Sequence, residues 1–188
     1  MIPAARRREL LELARQSLET AFAGEPLPRL ASDRAPEFGR SQGVFVTLRK
    51  AGELRGCIGT VASDGDLSGI VPLFARKAAF EDPRFPNLRA EELVVCDIEI
   101  SVLSEPRAIA GPEEIEIGKD GLILEGHGRR GLLLPQVAPE WGFAAERFLE
   151  ETARKAGLPA GAWRDPEVRI FAFGAEVFSE SELAAGGE

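Results

Sequence analysis

The clearest chemical potential lies in residues 54–59, whose sequence is LRGCIG. Side chains alternate between the faces of an extended strand, so Arg55 and Cys57 are expected to share one face. A neighbouring guanidinium favours the thiolate, which is the nucleophilic form of cysteine. Gly56 and Gly59 remove bulk on either side of the cysteine, although glycine usually weakens a strand. The stretch predicts either a reactive thiol or a small buried residue between two glycines.

Arg55 supports a second interpretation, in which it binds a small anionic ligand that the backbone of Gly56 and Gly59 approaches closely. The simpler alternative is an ion pair with Asp97 or Glu99, which would share one face of a later strand. These two carboxylates could instead form an acid/base pair. Alternating polar residues are also common on a strand that faces solvent, so this alternative stays open.

Three further positions carry groups that could contribute to a site. Asp82 and Arg84 flank a proline that fixes their directions, so they could line a ligand site or form a turn that caps the preceding helix. His127 lies between two glycines and is the only histidine, so we expect a solvated turn and no metal site. Cys96 falls on the apolar face of its predicted strand and is expected in the core.

Composition excludes several classes of protein. The 188 residues are 44% hydrophobic and 29% charged, which is ordinary for a globular chain. The net charge of -8 argues against general nucleic-acid binding, which needs a basic surface. Two cysteines without a CxxC motif do not form a secreted disulfide scaffold, and we expect a cytoplasmic location. No apolar run approaches the roughly 20 residues of a membrane span. We find no phosphate-binding loop or dinucleotide fingerprint and expect no cofactor.

Hydrophobic periodicity predicts helices and strands that are interspersed without a strict βαβ rhythm. The predicted helices are residues 4–23, 65–80 and 143–156. The predicted strands are residues 43–48, 54–59, 93–103, 122–125, 131–134 and 168–178. Early and late hairpins favour an α+β fold with a mixed, largely antiparallel sheet and flanking helices.

Three details of these elements are expected to be irregular. Residues 25–42 are rich in Pro, Gly, Asp and Ser and predict a loop. Pro72 is unfavourable inside a helix, so the regular part of the second helix is expected to begin there, after a turn or short segment at 67–71. The tail after the last strand is expected to be frayed.

Several ordered blocks of the chain resemble the AMMECR family. The run GVFVTL at 43–48 followed by LRGCIGT resembles the family signature. DPRF at 82–85, DIEISVL at 97–103 and LPQVA at 134–138 resemble its later blocks, so the resemblance covers about residues 5 to 180. One departure is Gly-Phe-Ala at 142–144, where the family commonly has Gly-Trp-Asp. The missing Asp removes a good N-cap and predicts a weaker helix start.

The resemblance implies a fold and a set of partners. It implies a single AMMECR-type domain over residues 1–188, built from two intertwined subdomains, with the signature at or near a cleft between them. Bacterial and archaeal members are similar to protein A of the AmmeMemoRadiSam system, which implies a Memo-like protein and a radical SAM protein as partners. It implies a role in a modification or redox pathway and names no substrate.

Two functional hypotheses follow. In the first, the protein is an enzyme or enzyme subunit with Cys57 as nucleophile or redox group, Glu99 or Asp82 as base, and Arg55 and Arg84 holding an anion. In the second, it is a non-catalytic binding or scaffold module. There the glycine-flanked strand would dock a peptide or small anion through its backbone.

Overall fold

The computed structural model describes residues 2–29, 43–61 and 66–185. The α-helices are α1 (Ala4–Phe22), α2 (Leu67–Phe80), α3 (Ala90–Leu93), α4 (Val137–Trp141), α5 (Ala145–Lys155) and α6 (Glu180–Ala185). The strands are β1 (Gly43–Lys50), β2 (Glu53–Thr60), β3 (Cys96–Leu103), β4 (Arg107–Ile109), β5 (Asp120–Gly126), β6 (Arg129–Leu133) and β7 (Arg169–Ser179). Antiparallel strand pairs with flanking helices confirm the predicted α+β fold class.

The chain divides into two compact units. Unit 1 comprises residues 1–103 and 176–188, and unit 2 comprises residues 104–175. Strand β7 begins in unit 2 and ends in unit 1. The predicted single-domain description and the cleft between subdomains stay predictions.

Unit 1 is built on a sheet in which β1 lies between β2 and β3, with antiparallel pairing on both sides. Alternate residues of β1 and β3 are apolar and fully buried, as the strand period requires. They form one core with the apolar stripes of α1 and α2, which includes Leu10, Leu18, Val46, Val71, Ala75 and Ile100. Cys96 belongs to this core, as expected. The other face of β1 and β3 carries polar side chains, among them Thr47 and Glu99, together with the apolar Phe45 and Leu103.

The structure corrects the predicted start of the second helix. Helix α2 is continuous from Leu67, and Pro72 lies inside it. Asp66 caps the helix by accepting a hydrogen bond from the Gly69 N–H at 3.0 Å. The buried Ser17 hydroxyl donates to the Pro72 carbonyl at 2.7 Å, so contact with α1 stabilises the region around the proline.

Two other boundaries also differ from prediction. Strand β3 begins at Cys96 rather than at 93, because α3 and a turn occupy residues 90–95 and leave Val94 83% exposed. The tail after β7 forms α6 as far as Ala185, where a frayed segment was expected. Glu180, its first residue, binds Arg15 and accepts the Ile98 N–H at 3.0 Å, which fixes the helix.

Unit 2 contains the predicted late hairpin. Strand β5 lies between β6 and β7, and β4 pairs with residues 170–172 of β7 from the edge opposite β5. The buried stripe of α5, including Phe148 and Leu149, forms the second core with β5 and β7. Ala144 is the N-cap of α5 and makes no side-chain hydrogen bond, as the missing Asp predicts. Helix α4 was not predicted.

Two expectations concern regions that the structure covers only in part. Residues 25–29 have no regular secondary structure, while 30–42 of the predicted loop lie outside the described residues. Within residues 2–29, 43–61 and 66–185, no helix has the length and apolar character that crossing a membrane requires.

Candidate functional site

Arg55 occupies an irregular position in the β1–β2 ladder. Leu48 pairs with Gly56 whereas Arg49 pairs with Leu54, so Arg55 is the extra residue of a β-bulge. Bulges redirect a side chain, and they are not visible in simple strand alternation. In the described ranges, the Arg55 guanidinium makes no hydrogen bond to the Cys57 side chain. Its hydrogen bonds go to residues 86–92 instead.

A buried ion-pair network surrounds Glu92. Arg55 Nη2 and Lys50 Nζ each lie 2.9 Å from a Glu92 carboxylate oxygen, and Arg89 Nε lies 3.7 Å away. Arg55 and Glu92 are 11% and 10% exposed at their side chains. Hydrogen bonds from Arg55 and then Lys50 hold the pKa of Glu92 well below its usual range. Arg55 also donates to the Pro86 carbonyl at 3.0 Å, so the network ties β2 to the segment before α3.

Glu92 and Thr47 are the candidate-site residues that sequence reasoning missed. The predicted partners of Arg55 were Asp97 and Glu99, but the structure gives Glu92. An acidic residue in the first turn of a short helix is already favoured by the helix dipole, so its type gave no sign of a second role. Asp97 instead accepts hydrogen bonds from Ser181, and Glu99 pairs with Arg49 Nε at 3.4 Å.

Asp82 and Arg84 hold the backbone of Cys57. The Cys57 N–H donates to Asp82 Oδ2 at 2.9 Å, and Arg84 Nη2 donates to the Cys57 carbonyl at 3.2 Å. Arg84 also binds Asp82 through Nε at 2.9 Å and Nη2 at 2.7 Å. Strand β2 lies at the outer edge of its sheet, so this pair occupies the position that a neighbouring strand would take at Cys57.

The Asp82 carboxylate is buried and fully engaged. Arg84 is the main cause that holds the pKa of Asp82 well below its usual range, and the Cys57 and Arg84 N–H groups add to it. A carboxylate with such a low pKa is a weak base at neutral pH. Arg84 has a 55% exposed side chain and lies 5.5 Å from the centre of the Phe85 ring. Arg84 is therefore the accessible member of this pair, and Asp82 is the buried one.

The Cys57 sulfur has a hydroxyl partner. Thr47 lies opposite Cys57 in the β1–β2 ladder, and its Oγ1 is 3.3 Å from Cys57 Sγ. Thr47 is buried, whereas Cys57 is partly exposed. A hydroxyl that donates to sulfur stabilises negative charge there.

Glu99 lies opposite Thr47 on β3, so Cys57, Thr47 and Glu99 form one row across three strands. Two strand spacings, or roughly 10 Å, separate the backbones of Cys57 and Glu99. Thr47 therefore lies between Cys57 and Glu99 in the row. The carboxylate could therefore act on a molecule lying across the row, rather than on the thiol itself.

Both signature glycines are required by packing. A Cβ on Gly56 would overlap the Ala78 carbonyl oxygen, so its absence lets α2 approach β2. A Cβ on Gly59 would overlap the Val44 carbonyl oxygen and the Phe45 ring. The role of Gly56 and Gly59 in ligand binding stays a prediction.

His127 lies within one possible metal-ligand cluster. Its Nε2 is 3.0 Å from Asp165 Oδ2, and its Nδ1 is 3.5 Å from Glu167 Oε2. One ligand atom from each of these residues lies within 4.8 Å of the others. The contacts are those of an exposed hairpin turn paired with acidic neighbours. The second cysteine, Cys96, is buried, and burial raises the pKa of its thiol.

Fold and site together define an α+β protein with an antiparallel sheet and a cysteine on a clamped edge strand. Residues 11–178 match the AMMECR1 family model, so the chain belongs to the AMMECR1 family, as the resemblance predicted. A protein of Methanothermobacter thermautotrophicus is 45% identical over 179 residues, covering 92% of this chain and 93% of that protein. An Aquifex aeolicus protein is 40% identical over 182 residues, covering 93% of each chain.

A solved structure supports the same assignment. The crystal structure of uncharacterized protein PH0010 from Pyrococcus horikoshii is similar, with a TM-score of 0.80 and 40% sequence identity. The likeness covers 91% of this chain and 89% of that one.

Proposed function

We propose that this protein is an enzyme or enzyme subunit whose reacting group is the Cys57 thiol. One observation carries the proposal: Cys57 is held at three points while remaining partly exposed. Asp82 accepts its N–H, Arg84 donates to its carbonyl, and Thr47 donates to its sulfur. The two backbone contacts stand in for those of a neighbouring strand and fix the chain at Cys57, while the Thr47 hydroxyl is the contact made to the thiol itself. Pre-organisation of a nucleophile is what covalent catalysis requires.

Within this proposal the other site residues take distinct roles. Arg84 is the residue that holds an anionic group of the substrate, because its guanidinium is accessible and lies beside Cys57. Glu99 is the base, and it acts on a substrate that lies across Thr47. Asp82 and Arg55 are positioning residues, since their hydrogen bonds are directed to protein groups.

We also propose that the protein acts with a Memo-like protein and a radical SAM protein in a cytoplasmic pathway. The support for the partners is the family resemblance. The support for the compartment is the pair of free thiols, Cys57 and Cys96, which a reducing environment maintains.

Alkylation by iodoacetamide at neutral pH tests the proposal, with modification of Cys57 and Cys96 followed separately by mass spectrometry. We expect Cys57 to react faster in the folded protein than in the same chain unfolded in urea, because the fold activates it. Buried Cys96 is the internal control and should react only on unfolding. A folded-state rate at Cys57 below its unfolded rate would mean that the thiol is merely shielded.

The alternative, a docking module at the same motif, has less support at Cys57. Its outward N–H and carbonyl already bind Asp82 and Arg84, so a peptide strand would have to displace both. A bulky replacement of Gly56 does not separate the hypotheses, because any Cβ there collides with Ala78. The substitution Cys57→Ser does: it should abolish pathway function in an enzyme and preserve it in a docking module.

A further inference from the structure

A groove in unit 2 carries features that the Cys57 proposal does not use. Its cavity volume is about 590 Å³, which is in the range of ligand sites, and it is open to solvent. Its apolar floor consists of Leu133, Val137, Trp141 and Phe143, and the rest of its lining comes from α5. We call this surface the Trp141 groove.

The floor of the Trp141 groove is an exposed aromatic platform. Trp141 ends α4 and is 72% exposed. Gly142 follows with a φ of 65°, which turns the chain so that the Phe143 ring stacks on the indole at 6.4 Å between centroids. The Arg147 guanidinium lies 6.0 Å from the Phe143 ring centre, so the platform is fixed on a second side. An exposed indole within an apolar patch is typical of an interaction surface.

The α5 side of the groove is positively charged. Arg147, Glu151, Arg154 and Lys155 lie at helical spacings of four, seven and eight residues, which places them on one face. Arg147 and Arg154 both bind Glu151. Lys155 forms no ion pair with the residues that the structure describes. Arg147 also binds Glu150 at 3.1 Å, so three cations against two carboxylates leave one excess positive charge, carried by Lys155, in a chain whose net charge is -8.

We propose that the Trp141 groove binds an acidic segment of a partner protein that carries one large apolar side chain. The apolar side chain packs on Trp141 and Phe143, and the carboxylates of the segment face Arg154 and Lys155. The local positive charge of the groove attracts an acidic segment, whereas the net negative charge of the rest of the chain would repel such a segment elsewhere on the surface. An open groove suits an extended segment, which keeps part of its backbone in solvent.

Selection from a random dodecapeptide library displayed on phage tests this proposal without knowledge of the partner. Selection is run on the whole protein at low salt. We expect the recovered peptides to be enriched in Asp and Glu around a Trp, Phe or Leu. A synthetic peptide of the most frequent sequence is then titrated by calorimetry.

Three variants assign the binding site. Trp141→Ala should weaken binding by about tenfold or more, as for an aromatic hot spot. Lys155→Glu should weaken it by several-fold and flatten its salt dependence. Arg130→Glu is the matched control, because Arg130 is an exposed arginine of β6 outside the groove, and binding should not change. Thermal melts confirm that each variant folds.

Three outcomes would overturn the proposal. The selected peptides could lack an acidic excess, or they could bind Trp141→Ala as tightly as the parent. Sedimentation could also show a concentration-dependent dimer that Trp141→Ala abolishes, in which case a second copy of this chain occupies the groove. Cys57 alkylation should be the same in Trp141→Ala and the parent, so this test is independent of the proposed enzyme.

Discussion

Replacing Glu92 with Gln tests whether the ion-pair network holds β2 to the segment before α3. The substitution keeps the shape of the side chain but removes the charge that faces Lys50, Arg55 and Arg89. The first and last of these cations are 43% and 75% exposed and can turn to water. Arg55 is 11% exposed and cannot, so it would be left as a poorly compensated buried charge.

The expected loss of stability follows from the difference in exposure between Arg55 and the other two cations. Removing one partner of a buried ion pair costs about 3–5 kcal/mol. Because only one of the three cations is buried, and Gln still offers an acceptor, we expect Glu92→Gln to lower the free energy of unfolding by about 3 kcal/mol. Glu91→Gln is the matched control in the same helix: Glu91 is exposed, so its change should stay within about 0.5 kcal/mol.

The assay is urea denaturation followed by far-UV circular dichroism. Tryptophan fluorescence is unsuitable, because Trp141 and Trp163 both lie in unit 2 while Glu92 lies in unit 1. The fold lowers the pKa of Glu92, so its contribution is complete above the unfolded value of about 4.3 and is lost as pH falls further. The difference between parent and Glu92→Gln should therefore shrink at acid pH. Equal stability of the two Gln variants at neutral pH would refute the reasoning.

Two other substitutions test the packing and the backbone clamp. Gly56→Ala should destabilise the fold by about 1–3 kcal/mol through its collision with Ala78, as measured by denaturation. Gly69 lies inside α2, where an added Cβ would make only ordinary contacts, so Gly69→Ala should stabilise the fold by about 0.5–1 kcal/mol. If Gly56→Ala and Gly69→Ala changed the free energy of unfolding in the same direction, this account would be contradicted. Asp82→Asn should cost about 2 kcal/mol and speed hydrogen exchange at the Cys57 amide, and unchanged exchange would exclude the clamp.

The features of unit 1 that the sequence predicts correctly are those that follow from the local spacing of apolar residues. Alternate residues of β1, namely Val44, Val46 and Leu48, are apolar and fully buried, and the glycine-containing link to β2 predicts the hairpin. Cys96 is buried for the same reason, since it shares a face with Ile98 and Ile100. The two-residue repeat of a strand produces this pattern, so it can be recognised in one sequence.

The features that were missed depend on long-range contacts. Glu92 meets Arg55 across 37 residues, and nothing in either neighbourhood indicates that pair. The bulge at Arg55 shifts one register position without changing composition. Pro72 is accepted in α2 although it lacks the helical N–H, and Ser17, which lies 55 residues earlier, binds its carbonyl. Tertiary contacts can override local propensity in this way.

Substitution of Thr47 tests the positioned thiol of Cys57 most directly. Thr47→Val preserves the shape of the buried side chain and removes the hydroxyl, whereas Thr47→Ser retains the hydroxyl. A hydrogen bond worth about 1 kcal/mol corresponds to at most about fivefold in rate, and a thiolate that is stabilised by a donor is also a weaker nucleophile. We predict that Thr47→Val slows the alkylation of Cys57 about two- to threefold at neutral pH, while Thr47→Ser stays close to the parent. Equal rates in the Val and Ser variants would contradict the claim that the fold prepares Cys57 for chemistry.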